Sequence, residues 1–199
     1  MKRSEFYFSH VKDVLKEYEE DFIANFEEDN LPGYPESQAG SMFTSEAQFV
    51  YSIIKTLKPN KILEIGNWKG STSNHIIKAA SSYGGTVTLV DINDHIDYEN
   101  LIKYEKTNRV IQDSKDHLRN ESNIYDLIVQ DGDHSYAYVK EELEILMKTH
   151  KKFICIAHDW KACPEIFRAL EDLKDKFKTL AHIHSPESDC GISLVIYES

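Results

Sequence analysis

Two short polar strings hold the residues best suited to chemistry. Asp131-Gly132-Asp133-His134-Ser135-Tyr136 places three ionisable side chains within four positions. Ala157-His158-Asp159-Trp160 adds two more. Each string follows an apolar run, so each reads as the carboxyl end of a buried strand. Neighbouring strands lie about 5 Å apart, and Asp131, His158 and Asp159 can therefore meet at one point. An imidazole titrates near neutral pH, which makes His134 a candidate general base and Asp131 a second candidate catalytic group beside it. Asp133 reads better as a cap for a helix beginning near Tyr136. Tyr136 and Trp160 either line a pocket or belong to the core.

A second constellation lies upstream. Residues 62–70, Ile-Leu-Glu-Ile-Gly-Asn-Trp-Lys-Gly, run into Ser71-Thr72-Ser73-Asn74. The pattern is a strand, a tight turn and a helix start, the arrangement that binds nucleotide-like cofactors in doubly wound sheets. Glycine lets the backbone approach a ligand and adopt positive φ, although glycines after a strand also serve as ordinary turn residues. The spacing is not the dinucleotide Gly-x-Gly-x-x-Gly, which counts against a nicotinamide oxidoreductase. Asp91 closes the apolar run 86–91 and can accept the hydroxyls of a ribose, or serve as a turn residue.

These residues need a scaffold that presents strand ends at one edge. Strands are expected at 61–65, 86–91, 108–112, 125–130, 152–157, 179–184 and 190–197. Helices are expected at 72–81 and 137–149, with a further one opened by Pro164. The last two strands lack a helix between them and should pair antiparallel. The expected fold is α/β, a doubly wound, seven-stranded, mostly parallel sheet with the last strand reversed. Two N-terminal helices precede it. Phe8, Val11, Leu15, Tyr18, Phe22 and Phe26 form one helical stripe over residues 5–28. Ser45-x-x-Gln48 is a capping-box pattern that opens the second helix.

The chain has 199 residues, enough for one sizeable core. Its formal net charge of −11 disfavours a nucleic-acid partner. Cys155, Cys163 and Cys190 form no Cys-x-x-Cys pair, and their odd number fits a reducing compartment. Cys155 reads as a core residue. No signal-like N-terminus and no stretch of roughly 18 apolar residues is present, so a cytoplasmic protein without a membrane partner is expected.

The glycine loop with Glu64 before its first glycine, together with the seven-strand pattern, resembles the class I S-adenosylmethionine (SAM)-dependent methyltransferases over roughly residues 40–197. The resemblance implies a SAM-binding domain at 40–199 and a helical extension at 1–39 that lies outside the core and covers cofactor or substrate. It implies cofactor contacts from Glu64, Gly66, Asn67, Gly70, Ser71, Asp91, Ile92, Asp113, Ser114 and Asp131. Gly40-Ser41-Met42 resembles the segment that covers the cofactor's methionine end in small O-methyltransferases, though Met42 is equally a core residue. Cation-dependent O-methyltransferases of the catechol and caffeoyl-coenzyme-A type carry a metal-ligand Asp after strand four and an Asp-Asn pair after strand five. Asp131 and His158-Asp159 stand at those places, which implies Asp131, His158 and Asp159 as ligands of Mg²⁺ or Mn²⁺. His158 departs from that pattern, and its alternative is a hydrogen bond to Asp131 or to the acceptor. Those enzymes use a Lys three residues beyond the first Asp. Here His134 occupies the position, as in some sugar O-methyltransferases of macrolide and aminocoumarin pathways. The implied activity is methyl transfer to a hydroxyl of a small sugar or phenol. A non-catalytic SAM-binding or interaction protein is the alternative. Apolar faces on the N-terminal helices can support a homodimer.

Overall fold

The computed structural model describes residues 1–28, 31, 42–97, 99–120 and 122–199. Along the chain these form α1 (Arg3–Leu15), a 3-10 turn (Lys16–Tyr18), α2 (Glu19–Phe26), α3 (Thr44–Leu57), β1 (Lys61–Ile65) and α4 (Ser71–Ser81). There follow β2 (Thr86–Asp91), β3 (Thr107–Ile111), α5 (Ser114–Leu118), β4 (Leu127–Gln130) and α6 (Tyr136–Thr149). The remainder is β5 (Lys152–His158), α7 (Pro164–Leu173), a short 3-10 turn (Lys174–Lys176), β6 (Thr179–Ile183) and β7 (Ile192–Glu198).

The strands make one seven-stranded sheet in the order β3-β2-β1-β4-β5-β7-β6. Every pairing from β3 to β5 is parallel, and β7 runs antiparallel to both β5 and β6. Alternate residues of each buried strand serve opposite faces. Ile62, Leu89, Leu127 and Ile156 join the apolar layer under α3 and α4, whereas Leu63, Val90, Ile128 and Cys155 join the layer under α6 and α7. Covering both faces explains why the strands read as continuous apolar runs. Ile65 pairs with both Val90 and Gln130, and Gln130 with Ala157, so the loops after β1, β2, β4 and β5 emerge side by side.

The N-terminus departs from the single helix expected at 5–28. The chain folds back at the 3-10 turn, and α1 and α2 pack as an antiparallel hairpin. Tyr7 meets Phe26 at 5.2 Å between ring centroids, and Phe8 meets Phe22 at 5.8 Å. Continuing straight would have left the second half of the stripe without a partner. The turn buries Phe22 and Phe26, and Phe22 meets Phe49 of α3. The hairpin belongs to the same apolar cluster as Ile54, Ile62 and Ile77, so it joins the core instead of lying outside it. The expected boundary at 39/40 and the Gly40-Ser41 segment fall outside the described residues. Met42 is buried in that cluster, the core alternative of its two readings.

The N-cap of helix α3 lies two residues before the apparent cap Ser45. Phe43 precedes the helix, and its N–H donates to Glu46 Oε2 at 3.3 Å. Ser45 lies inside the first turn and accepts a hydrogen bond from the Tyr7 hydroxyl at 3.2 Å. Among the described residues, no helix is long and apolar enough to cross a membrane.

Candidate active site

A cavity of about 610 Å³ opens where the loops after β1, β2, β3 and β4 converge. Gly66, Asn67, Ser71, Asp91, Ile92, Asp113, Ser114 and Asp131 line it, together with Trp68, Asn93, His95, Asp133 and Tyr138. Eight of the ten residues expected to touch a cofactor therefore face one space. Glu64 and Gly70 stand outside the lining.

Gly66 is required at its position. Its φ is +81°, and a Cβ there would fall 2.1 Å from the Asp131 carbonyl oxygen. The missing side chain lets the first loop pass under the fourth. Gly70 has φ +87° and ends the turn at the start of α4, whose first residues Ser71 and Thr72 face the cavity. Asp91 holds this loop from the neighbouring strand. Its Oδ2 accepts from the N–H groups of Asn67 at 2.8 Å and Trp68 at 3.2 Å, and its Oδ1 from Asn93 at 3.0 Å. Glu64 is buried behind the loop, where its carboxyl accepts from Ser73 Oγ at 2.5 Å and Asn67 Nδ2 at 3.1 Å. Burial pushes it up to about 8, against the Ser73 hydrogen bond, so it is largely protonated at neutral pH.

Asp113 caps α5, accepting from Lys115 N–H at 2.9 Å and Asp116 N–H at 3.3 Å, and also bonds the Tyr138 hydroxyl. The Ser114 hydroxyl donates to the buried Glu142. Both residues line the cavity with their side-chain groups already engaged. Ile92 and Trp68 are exposed at its rim and supply apolar surface.

Beside the cavity lies a cluster of charges. His158, the last residue of β5, is only 3% exposed. Its Nδ1 lies 3.0 Å from Asp131 Oδ1 and its Nε2 lies 3.0 Å from Glu46 Oε2. Burial alone would lower its pKa, but the Asp131 charge and the two hydrogen bonds override it and hold it well above 6.5. Glu46 also accepts from Ser188 Oγ at 2.6 Å and Gly191 N–H at 3.0 Å. Burial works against both carboxylates, yet their contacts with His158 keep Glu46 and Asp131 below the usual range. His158 is thus an imidazolium held between two carboxylates.

His134 stands at the mouth of this cluster, partly exposed. Its Nε2 is 3.5 Å from Asp131 Oδ1 and its Nδ1 is 3.5 Å from Asp159 Oδ2. Interaction with Asp131 raises its pKa above 6.5 against the opposing effect of burial. Asp133 does not cap α6 directly. Ser135 precedes the helix, and Asp133 accepts its N–H at 2.8 Å in a turn one step earlier. Tyr136 packs among the partly buried residues over α6 and α7. Trp160 does likewise and donates to the Ile183 carbonyl.

Asp131, His158 and Asp159 are brought together, and both ring nitrogens of His158 face carboxylates, Asp131 and Glu46. A cation at this trio would have to displace a ring proton and one of those two contacts. Two residues of the cluster carry no signal of a site role in the sequence. Glu46 looks like an ordinary residue of an amphipathic first turn. Cys163 Sγ lies 3.6 Å from His134 Nδ1, at a spacing that no motif marks.

Comparison with known proteins bears on the same segment. Residues 63–160 match the family model described as a methyltransferase domain, which spans β1 to the loop after β5. No curated protein matches the sequence significantly. Among solved structures, an O-methyltransferase from Bacillus cereus in complex with SAH is similar with a TM-score of 0.67 at 18% identity, over 96% of each chain. The O-methyltransferase TomG from Streptomyces achromogenes, involved in tomaymycin synthesis and in complex with SAM, gives 0.66 at 12% identity, over 100% of each. The SAH-bound methyltransferase PaMTH1 from Podospora anserina gives 0.62 at 14% identity, over 83% of each. Residues 63–160 thus match a methyltransferase domain, and the reversed seventh strand and the loops gathered at one sheet edge give the chain the fold of these methyltransferase structures.

Proposed function

We propose that the chain moves the methyl group of SAM to a hydroxyl oxygen of a small molecule, a sugar or phenol. One observation carries this reading. The cavity is lined by four aspartates, Asp91, Asp113, Asp131 and Asp133, and by no Lys or Arg among the described residues. A cationic ligand is favoured there, and the pyrophosphate of a nicotinamide cofactor is repelled. The cradle under Gly66 and the buried, unpartnered Asn67 Oδ1 at the cavity wall suit a ligand that carries an ammonium group. The bound SAM and SAH of similar structures, and the O-methyltransferases among them, support the same choice.

When bound, SAM supplies a methyl group on cationic sulfur that leaves as a neutral thioether after in-line attack by oxygen. The chain's own residues prepare the attacking oxygen. Neutral His134 takes the acceptor's hydroxyl proton, and Asp131 and Asp159 stabilise the imidazolium that results. Asp131 is held in place by His158, and His158 in turn by Glu46. Asp91 fixes the first loop and presents its remaining lone pairs to the cavity. No step needs a cation at Asp131, His158 and Asp159.

Calorimetry tests the reading. SAM binds the wild-type chain, NADH does not, and Asp91→Ala weakens SAM at least tenfold. Absence of SAM affinity overturns it. Turnover of a hydroxylated acceptor that collapses in EDTA would restore a metal to the reaction.

A further inference from the structure

We propose that His134, Asp159 and Cys163 form a binding site for a thiophilic divalent cation, Zn²⁺ by its chemistry, and that filling this site shuts off methyl transfer. The second half rests on His134 being the base.

The three ligand atoms lie within 4.8 Å of one another. The distances from His134 Nδ1 are 3.5 Å to Asp159 Oδ2 and 3.6 Å to Cys163 Sγ. Zinc bonds of about 2.0–2.1 Å to nitrogen, 2.0–2.2 Å to oxygen and 2.3 Å to sulfur, at tetrahedral angles, separate the ligand atoms by about 3.4 Å (N···O) and 3.6 Å (N···S). The cluster already has those edges. The Asp159 contact is too long for a good hydrogen bond, and the Cys163 contact is a sulfur hydrogen bond whose proton an ion would replace.

Two further observations point to a ligand. Asp159 Oδ1 is buried and makes no hydrogen bond, with the His158 ring 3.5 Å away on the side opposite the oxygen assigned to the ion. Asp159 also has φ +64°, a left-handed backbone that is uncommon outside glycine and costly to maintain. Behind the ring, His134 Nε2 faces Asp131 Oδ1 at 3.5 Å, the outer carboxylate that orients a metal-bound histidine. All three residues are partly exposed, which leaves an entry path and a fourth position for water. A neighbouring trio, His158, Asp159 and Cys190, also clusters, but both His158 nitrogens are taken by carboxylates. A thiolate selects zinc over magnesium, and metal binding would displace the Cys163 proton.

With Nδ1 on the ion and Nε2–H turned to Asp131, His134 has no lone pair for the acceptor's proton. Cys163 takes no part in transfer, so the two functions can be separated.

Cobalt is the probe. Full-length protein stripped with EDTA and titrated with Co²⁺ should develop a thiolate-to-cobalt charge-transfer band, saturating at one ion per chain. Zn²⁺ should remove it. Cys163→Ser and Asp159→Asn, the latter tolerant of the left-handed backbone, should abolish the band, and Cys190→Ser should keep it. Cys163→Ser should also retain SAM affinity and turnover while needing at least tenfold more Zn²⁺ for inhibition. No band in the wild type, or a band lost in Cys190→Ser and kept in Cys163→Ser, overturns the site. The band needs neither SAM nor turnover, so its failure is distinct from failure of the methyltransferase reading. A normal band with Zn²⁺-insensitive turnover overturns the inhibition alone.

Discussion

The two halves of the sheet's carboxyl edge are built differently. Around β1, β2 and β3, carboxylates mostly bind backbone N–H groups in adjoining loops. Asp91 holds Asn67, Trp68 and Asn93, and Asp113 holds Lys115 and Asp116. Around β4 and β5, side chains bind each other across long stretches of chain. His158 and Glu46 are 112 positions apart, and Ser188 and Glu46 are 142 apart. The first half is a backbone cradle that shapes a cavity. The second is a charge relay that positions one exposed imidazole. Loss of a member should distort binding in the first half, and stability or proton transfer in the second.

The sharpest break is at the exposed end of the relay. His134→Ala should cut turnover about 10²- to 10⁴-fold while leaving SAM affinity near wild type by calorimetry. A parallel loss of SAM binding would put His134 in the cradle instead. Because the pKa of His134 is raised, its basic form appears only above pH 6.5, and turnover should rise with pH beyond that point. Asp159→Asn removes a charge that favours the imidazolium, so the rising limb should move to lower pH.

The buried end should act through stability. Glu46→Gln leaves His158 with one carboxylate and should cost about 3 kcal/mol, read from urea unfolding. Denaturation unchanged by this substitution would mean that the relay holds nothing together.

Glu64 gives the mildest contrast, on the cradle side. Its carboxyl binds a proton in the fold up to about pH 8 but loses it near 4.5 when unfolded. Folded protein therefore holds more protons than unfolded protein in that window, and stability falls as pH rises through it. Glu64→Gln should flatten this slope, worth about 2 kcal/mol between about pH 5 and pH 7. An unaltered slope would show that the carboxylate is ionised in the fold.

Much of the cradle could be read before any coordinates. Strands 61–65 and 86–91 coincide with β1 and β2, since a continuous apolar run bounded by turn residues is a local signal. Gly66 and Asp91 follow from the same local logic. The N-terminal fold-back was hidden because no Gly or Pro marks residues 16–18, and the apolar period runs straight through them. The apparent cap at Ser45 was misplaced because packing against Tyr7 draws that serine into the helix.

By itself the sequence determined the strands, the glycine turn and the two acidic strings, because periodicity and turn chemistry act over a few residues. Only tertiary structure decided that Glu46 would cage His158 and that Cys163 would stand beside His134. Those pairings depend on how α3, β5 and the loops before α7 and β7 pack. Close packing across a sheet edge leaves no trace in local spacing.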